Sequence, residues 1–316
     1  MRKPSILPVS AARLPALPAR FRQPRVLVVG CGDVGLRVLP RLRGVRVLAL
    51  TSSPARLAEL RAAGAVPLVG NLDQRRSLKR LKGLAQRVIH LAPPPGSGSS
   101  RDPRTRALLQ ALARGGGRSQ PRQLVYGSTT GVYGDCGGDW VSEARPCRPA
   151  TERARRRVDA ESTLRQRARR GGIPVSILRI PGIYAPERSL ASLRERLLRG
   201  QPVLQASDDV YTNHIHAEDL ARAVVLALWR GRAQRVYHIS DNTELRMGDY
   251  YDAVADVLGL PRPPRVSRAE ASARLGAMQM SFMSESRRLL NLRLAQELRL
   301  KLRYPDVWAG WAVAKT

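Results

Sequence analysis

The strongest constraint on the fold is the stretch VLVVGCGDVG at 26–35, an apolar β-branched run followed at once by Gly-x-Gly-x-x-Gly. The run reads as a buried strand, and the glycines as the turn that opens a helix. Gly30 permits the tight turn, Gly32 lets backbone approach a pyrophosphate, and Gly35 lets helix and sheet pack closely. Asp33 and Val34 fall in the first helical turn, so Gly30, Gly32, Asp33, Val34 and Gly35 are candidate dinucleotide contacts. The competing reading is a glycine-rich turn that binds nothing.

The pattern then repeats. VRVLAL (45–50), VPLV (66–69), RVIHL (87–91), QLVYG (123–127), VSILRI (175–180) and RVYHIS (235–240) are apolar runs separated by helical stretches. In SPARLAELRAAG, Ser53 is placed to cap a helix, Pro54 suits its first turn and Gly64 its end. Continuous apolar strands alternating with helices predict an α/β fold, a Rossmann-type doubly wound parallel sheet covered on both faces. After residue 180 the regularity loosens. SLASLRERLLRG (189–200) and GDYYDAVADVLG (248–259) read as helices of a smaller C-terminal substrate lobe. The expected organisation is a cofactor domain over 24–182, joined by 211–240, with 183–316 mainly the smaller lobe. Residues 1–23 carry no acid, and Pro8, Pro15 and Pro18 break their apolar stretch, so they read as a disordered extension rather than a targeting segment.

The net charge of +30 suggests a polyanion partner. Lysine, however, occurs only at 3, 79, 82, 301 and 315, so nearly all the 55 basic residues are arginine. Arg, Ala, Gly and Pro share GC-rich codons, which accounts for much of the surplus. The arginines are spread along the chain and aromatic residues make up only 4%, too few for base-stacking platforms, so a nucleic-acid role is disfavoured. Cys31, Cys136 and Cys147 form neither a disulfide framework nor a metal-ligand spacing, and read as free thiols of a reducing cytoplasm. No apolar run approaches the ~18 residues of a membrane span.

The end of the second strand chooses between cofactors. An acid there would bond a ribose 2′-hydroxyl, but this chain has Thr51 and Ser52, with Arg56 one turn on. Arg56 is able to pair with a 2′-phosphate, so NADP is expected in preference to NAD; otherwise Ser53 merely caps its helix and Arg56 is solvated. LAPPPGSGSS (91–100) follows the fourth strand where a loop would cover the cofactor, which makes Leu91, Ala92 and Pro93 contacts of a lid, or else part of a plain connector.

Taken together, GCGDVG, GNLD (70–73), VYGSTTGVYGD (125–135), LRIPGIYAP (178–186), NHIHAEDLARAV (213–224) and LRYPDVWAG (302–310) resemble the extended short-chain dehydrogenase/reductases, the NAD-dependent epimerase/dehydratase family, in an atypical form. The resemblance implies that Thr129, with Ser128 beside it, bonds the reacting oxygen. It implies that Asn71 and Leu72 contact the cofactor, that Pro181 and Gly182 lie near the carboxamide, and that His216 and Asp219 are structural. The family's Tyr-x-x-x-Lys helix is followed by a glutamate. Counting back from Glu161 puts the Tyr position at Arg153 and the Lys position at Arg157, both on one helical face. Pro40 also interrupts the first helix.

Arginine stays protonated, with a pKa above ~12, so Arg153 is no ordinary general acid or base. It is suited to clamp a carboxylate or phosphate, or to stabilise an oxyanion. Arg157 retains N–H groups for the ribose hydroxyls, and Arg155 and Arg156 read as a solvated face. Tyr133 and Tyr184 lie in motifs near the expected site and are candidates to move a proton, or packing residues. The expected function is an NAD(P)-dependent oxidoreductase or epimerase/dehydratase acting on a small anionic or nucleotide-linked metabolite. The alternative is an NADP-binding sensor or assembly protein without turnover. The sequence sets no oligomeric state.

Overall fold

The computed structural model describes residues 23–113 and 120–312. The extension expected at 1–23 lies outside the described residues except for Gln23. Seven strands form one sheet: β1 Arg25–Val29, β2 Arg46–Thr51, β3 Val66–Val69, β4 Arg87–His90, β5 Gln123–Thr129, β6 Val175–Ile180 and β7 Arg235–His238. Their order across the sheet is β7-β6-β5-β4-β1-β2-β3, and every pairing is parallel. The chain winds outward from β1 to β3, then returns to β4 and winds the other way. The reversal leaves a crevice between the carboxyl ends of β1 and β4, where a doubly wound sheet binds its ligand.

Both faces of the sheet are buried except at the edge strand β3, where Val66 and Val69 are exposed, which is why its inner strands are apolar at successive positions. On one face Val26, Val28, Ala49 and Ile89 pack with Leu60 of α2 (Leu57–Ala62) and with Leu220, Val224 and Leu228 of a later helix, Ala217–Arg230. On the other, Leu27, Val29, Val88 and Leu124 pack with Leu108 and Leu112 of α3 (Pro103–Ala113) and Ala160 and Leu164 of α4 (Glu152–Arg169). Thr151 caps α4, its hydroxyl accepting from the Ala154 amide at 3.2 Å.

Local chemistry refines the expected boundaries. Helix α1 (Asp33–Val38) gives way to a 3-10 turn at Leu39–Arg41, because Pro40 has no N–H to continue the ladder. Ser53 stands at the expected N-cap but its side chain does not cap; its amide instead bonds Thr51 Oγ1 at 3.2 Å, and a 3-10 turn at Pro54–Arg56 precedes α2.

The residues after β6 form α5 (Pro186–Leu198), α6 (Ala217–Arg230), α7 (Met247–Leu258) and four short helices, α8 (Arg268–Arg274), α9 (Ala277–Phe282), α10 (Leu292–Gln296) and α11 (Val307–Ala312). Tyr184, Leu197, Tyr250, Val254 and Trp311 make an apolar cluster of their own. Leu294, Leu298 and Leu300 return to the core under the main sheet. Among the described residues, no helix is long and apolar enough to cross a membrane.

Candidate active site

The β1–α1 turn is built around an absent side chain. Gly30 has φ +86°, and a β-carbon there would stand 2.2 Å from the Ala92 amide nitrogen. That proximity is required: Leu91 and Ala92 both donate to the Val29 carbonyl, at 2.8 and 3.1 Å, which pins the loop after β4 against the end of β1. A β-carbon on Gly32 would meet nothing within 4 Å, so the backbone there is open, whereas one on Gly35 would lie 3.1 Å from the Gly30 carbonyl. A cleft of about 370 Å³ opens over this turn. Gly30 and Gly32 line its floor; Thr51, Ser52 and Arg56 line one side. Asn71, Leu72, Leu91, Ala92 and Pro93 also line it, with Asp73 and Arg104. Asp33 and Val34 occupy the first turn of α1 but do not line it; the Asp33 carboxylate pairs with Arg37 and Arg188. Of the lining residues, Asp73 is paired with Arg104 at 2.7 Å, and Arg56 is paired with Glu59 at 2.8 Å. The bond from Glu59 holds the Arg56 pKa above its ordinary value. Open backbone and the absence of a free carboxylate suit a phosphate-bearing dinucleotide.

Helix α4 divides its arginines between tasks. Arg155 is exposed and paired with Glu152, as expected of a solvated face. Arg156 is not solvated. It lies four residues before buried Ala160, on the same helical face, and is itself 5% exposed. Its guanidinium donates to the Gly96 carbonyl at 3.1 Å and reaches those of Gly98 and Ser99, so it holds the loop after β4 down from within.

At the other end of the crevice, Thr129 closes β5 beside Ile180 of β6, and its Oγ1 accepts from the Gly131 amide. Thr129, Pro181 and Gly182 line a second cavity of about 280 Å³, and Arg153 lines it with them. The Arg153 guanidinium packs 4.6 Å over the Phe282 ring, with no hydrogen-bond partner among the described residues. One turn on, Arg157 donates to the Gly127 carbonyl at 2.6 Å and to the Tyr126 hydroxyl at 3.1 Å.

Three candidates lie elsewhere. Ser128 precedes Thr129 on the strand and so projects to the opposite face, where its hydroxyl donates to buried Glu161 at 2.6 Å. Tyr133 is fully buried: Arg179 donates to its oxygen at 2.7 Å, and its hydroxyl reaches His238 Nε2 at 2.5 Å. Burial, opposed by Arg179, pushes its pKa up to about 12. Tyr184 is buried too, with its hydroxyl on the Asp306 carbonyl at 3.0 Å and its pKa raised by burial. None of the three reaches the cavity beside Thr129. His216 and Asp219 are structural, as expected. His216 stacks on Tyr304 at 3.7 Å, and Asp219 accepts from the amides of Arg303 and Tyr304.

The cavity also gathers residues that no motif announced. Arg196 of α5 lies 4.4 Å over the Tyr251 ring of α7. Arg287 donates to Glu285 at 2.9 Å and to the Gly134 carbonyl at 2.8 Å. With Tyr211 these line the cavity opposite the ends of β5 and β6, so three guanidinium groups face one carboxylate.

A sequence model described as the NAD dependent epimerase/dehydratase family matches residues 26–240. The chain is 27% identical over 184 residues to protein YeeZ of Escherichia coli K12, an alignment that covers 58% of this chain and 59% of YeeZ. The match thus spans less than two thirds of that relative. Among solved structures, a functionally unknown conserved protein from Silicibacter pomeroyi DSS is 29% identical with a TM-score of 0.76, covering 92% of this chain and 98% of its own. A double mutant of DesIV, a dTDP-glucose 4,6-dehydratase from Streptomyces venezuelae with NAD bound, is 21% identical with a TM-score of 0.72, covering 92% and 97%. The last likeness shows the shared fold.

Proposed function

The chain belongs to the NAD-dependent epimerase/dehydratase family, and from that premise we propose that it is an NAD(P)-dependent epimerase/dehydratase or oxidoreductase acting on an anionic or nucleotide-linked metabolite, with NADP preferred over NAD. In this reading residues 24–182 with 211–240 hold the cofactor and 183–316 mainly face the substrate. The three free cysteines are consistent with a reducing cytoplasm. The observation that carries the reading is the cavity that Thr129 lines together with Arg153, Arg196 and Arg287. Guanidinium groups in a partly enclosed site favour phosphate or carboxylate.

The open backbone at Gly32, beside the tight turn that Gly30 permits, fits a pyrophosphate, Arg56 a 2′-phosphate, and Asn71, Leu72 and Leu91–Pro93 the walls around them. Arg157, Pro181 and Gly182 lie toward the nicotinamide end. A nicotinamide dinucleotide supplies hydride chemistry there. The chain's own part is to orient and to neutralise: the Thr129 hydroxyl donates to a substrate oxygen, and Arg153 offsets negative charge without changing its protonation. A second reading, a cofactor-binding sensor or assembly protein without turnover, is favoured by two observations: position 153 carries arginine, and Tyr133 is sealed in the core.

Calorimetric titration of both cofactors, followed by cofactor reduction with dTDP-glucose and UDP-glucose, tests the proposal. NADP is expected to bind more tightly than NAD. Arg56→Ala is expected to weaken NADP about tenfold, one lost charge-assisted bond, and to leave NAD unchanged. Tighter NAD binding would contradict the preference, and firm NADP binding with neither cofactor reduction nor product formation from either sugar nucleotide would favour the second reading.

A further inference from the structure

Interconverting an alcohol and a carbonyl moves a proton as well as a hydride, so the cavity beside Thr129 needs a group able to exchange that proton. Its ionisable lining consists of Arg153, Arg196, Arg287, Tyr211, Tyr251 and Glu285. The guanidinium groups stay protonated and cannot serve. Burial holds the Tyr251 phenol above its ordinary pKa, although Arg196 opposes this. The Tyr211 ring is covered by the guanidinium groups of Arg288, at 4.7 Å, and Arg246, at 5.6 Å.

Glu285 is placed differently. The point where a β-carbon on Gly131 would stand is 3.9 Å from Glu285 Oε2 and 3.7 Å from Thr129 Oγ1, so carboxylate and hydroxyl flank one spot. The Glu285 side chain is 10% exposed, and Oε2 accepts from an Arg287 nitrogen that also donates to the Gly134 carbonyl. The acid is thus oriented by a third group that is itself anchored to the backbone, the arrangement a working base requires. Its Oε1 has no protein partner among the described residues.

We propose that Glu285 exchanges the proton with the substrate in this cavity, the task that arginine at position 153 cannot perform. The inference rests on the reading above, that the cavity holds the substrate of a nicotinamide-dependent enzyme. In the oxidative direction the substrate C–H bond breaks and its electron pair leaves as hydride for an oxidised nicotinamide dinucleotide. The O–H bond breaks, its proton passes to the Glu285 carboxylate, and the C=O bond forms. Reduction reverses each transfer, with the Glu285 acid returning the proton. Arg153 keeps its charge throughout.

The test uses Glu285→Gln and Glu285→Asp in the full chain, with dTDP-glucose and UDP-glucose as substrate probes, NADP as cofactor probe, and UDP titrated into cofactor-free protein. Glu285→Gln is expected to slow single-turnover cofactor reduction about 10²–10⁴-fold while NADP affinity stays within about twofold and KM does not rise. It is also expected to abolish the acid limb of the pH–rate profile, which Glu285→Asp keeps at an intermediate rate. UDP affinity should rise about threefold in Glu285→Gln, because a like charge has left the cavity. A retained rate, a persisting acid limb or an unchanged UDP affinity overturns the inference alone. If the unsubstituted protein reduces no cofactor with either probe, the parent reading fails and takes the inference with it. Should circular dichroism show Glu285→Gln unfolded, Glu285→Asp carries the test: full activity there overturns the role, and a slowed rate with the limb kept supports it.

Discussion

Replacing Glu161 with glutamine is expected to lower the stability of the fold by about 3–5 kcal/mol, the loss seen when one partner of a buried ion pair is neutralised. Glu161 and Arg179 have side chains only 4% and 3% exposed and meet at 2.7 Å. The same carboxylate accepts from Ser128, and Arg179 reaches on to Tyr133 and Cys147. Tyr133 in turn meets His238, whose Nδ1 lies 2.8 Å from the Leu290 carbonyl. Neutralising Glu161 leaves a guanidinium inside the protein with no counter-charge, and the loss is a large share of the ~5–15 kcal/mol that holds a typical domain. Urea unfolding should show a lower midpoint at constant slope. A double replacement, Glu161→Leu with Arg179→Met, should recover most of the loss, because neither charge is then left alone. A loss below about 1 kcal/mol for Glu161→Gln would mean that water reaches Arg179 through the adjoining cavity, which both residues line.

Mild acid is expected to destabilise the protein well above the range where carboxylates titrate. Burial drives the pKa values of His90, His214 and His238 down from 6.5 to about 3. Each is neutral in the folded chain, whereas the unfolded chain takes up a proton near pH 6.5. The unfolded state therefore binds more protons between about pH 6.5 and 3, and stability falls as pH falls through that window. Asp241 works in the opposite direction. Burial raises its pKa from 3.8 to about 7, so its contribution is complete at low pH and is lost as pH rises toward 7. Three histidines against one aspartate leave a net slope of about 3 kcal/mol per pH unit, at ~1.4 per unshared proton. Between pH 7 and 5 the loss amounts to about 3–4 kcal/mol. Urea midpoints at pH 7, 6 and 5 measure it. A flat profile would show that these histidines protonate without leaving the fold.

The seven strands were legible because each is a short, mainly apolar run bounded by glycine or a helical stretch, and for the inner strands burial on both faces leaves little room for polar alternation. Gly30 was legible because close approach of the β4 loop excludes every other side chain. Thr129 and Arg153 were legible through the family resemblance, which fixes a hydroxyl at the end of the fifth strand and counts back from Glu161 along the helix that follows. Ser128 was readable and misassigned: strand alternation already sets it opposite Thr129. Arg156 was hidden by its neighbours, because four arginines in five positions look alike until one is seen to share a face with Ala160. Glu285, Arg287 and Arg196 were not readable. Glu285 and Arg287 sit in a segment without periodicity and reach the cavity across more than a hundred residues of chain, and Arg196 lies on a readable helix whose packing against Tyr251 a local pattern does not carry.

Arg153 lines the cavity beside Thr129, and a permanent cation there is expected to take an anion. Calorimetric titration of UDP into the unsubstituted protein, Arg153→Ala and Arg155→Ala, at one physiological ionic strength, addresses it directly. The account predicts that Arg153→Ala weakens UDP at least about tenfold with NADP affinity unchanged, the cost of one charge-assisted contact. Arg155→Ala, which alters the same net charge on the solvated face, should leave UDP binding within about twofold. Equal UDP affinity in all three proteins would contradict the account, and would assign whatever binding remains to the diffuse positive charge of the chain.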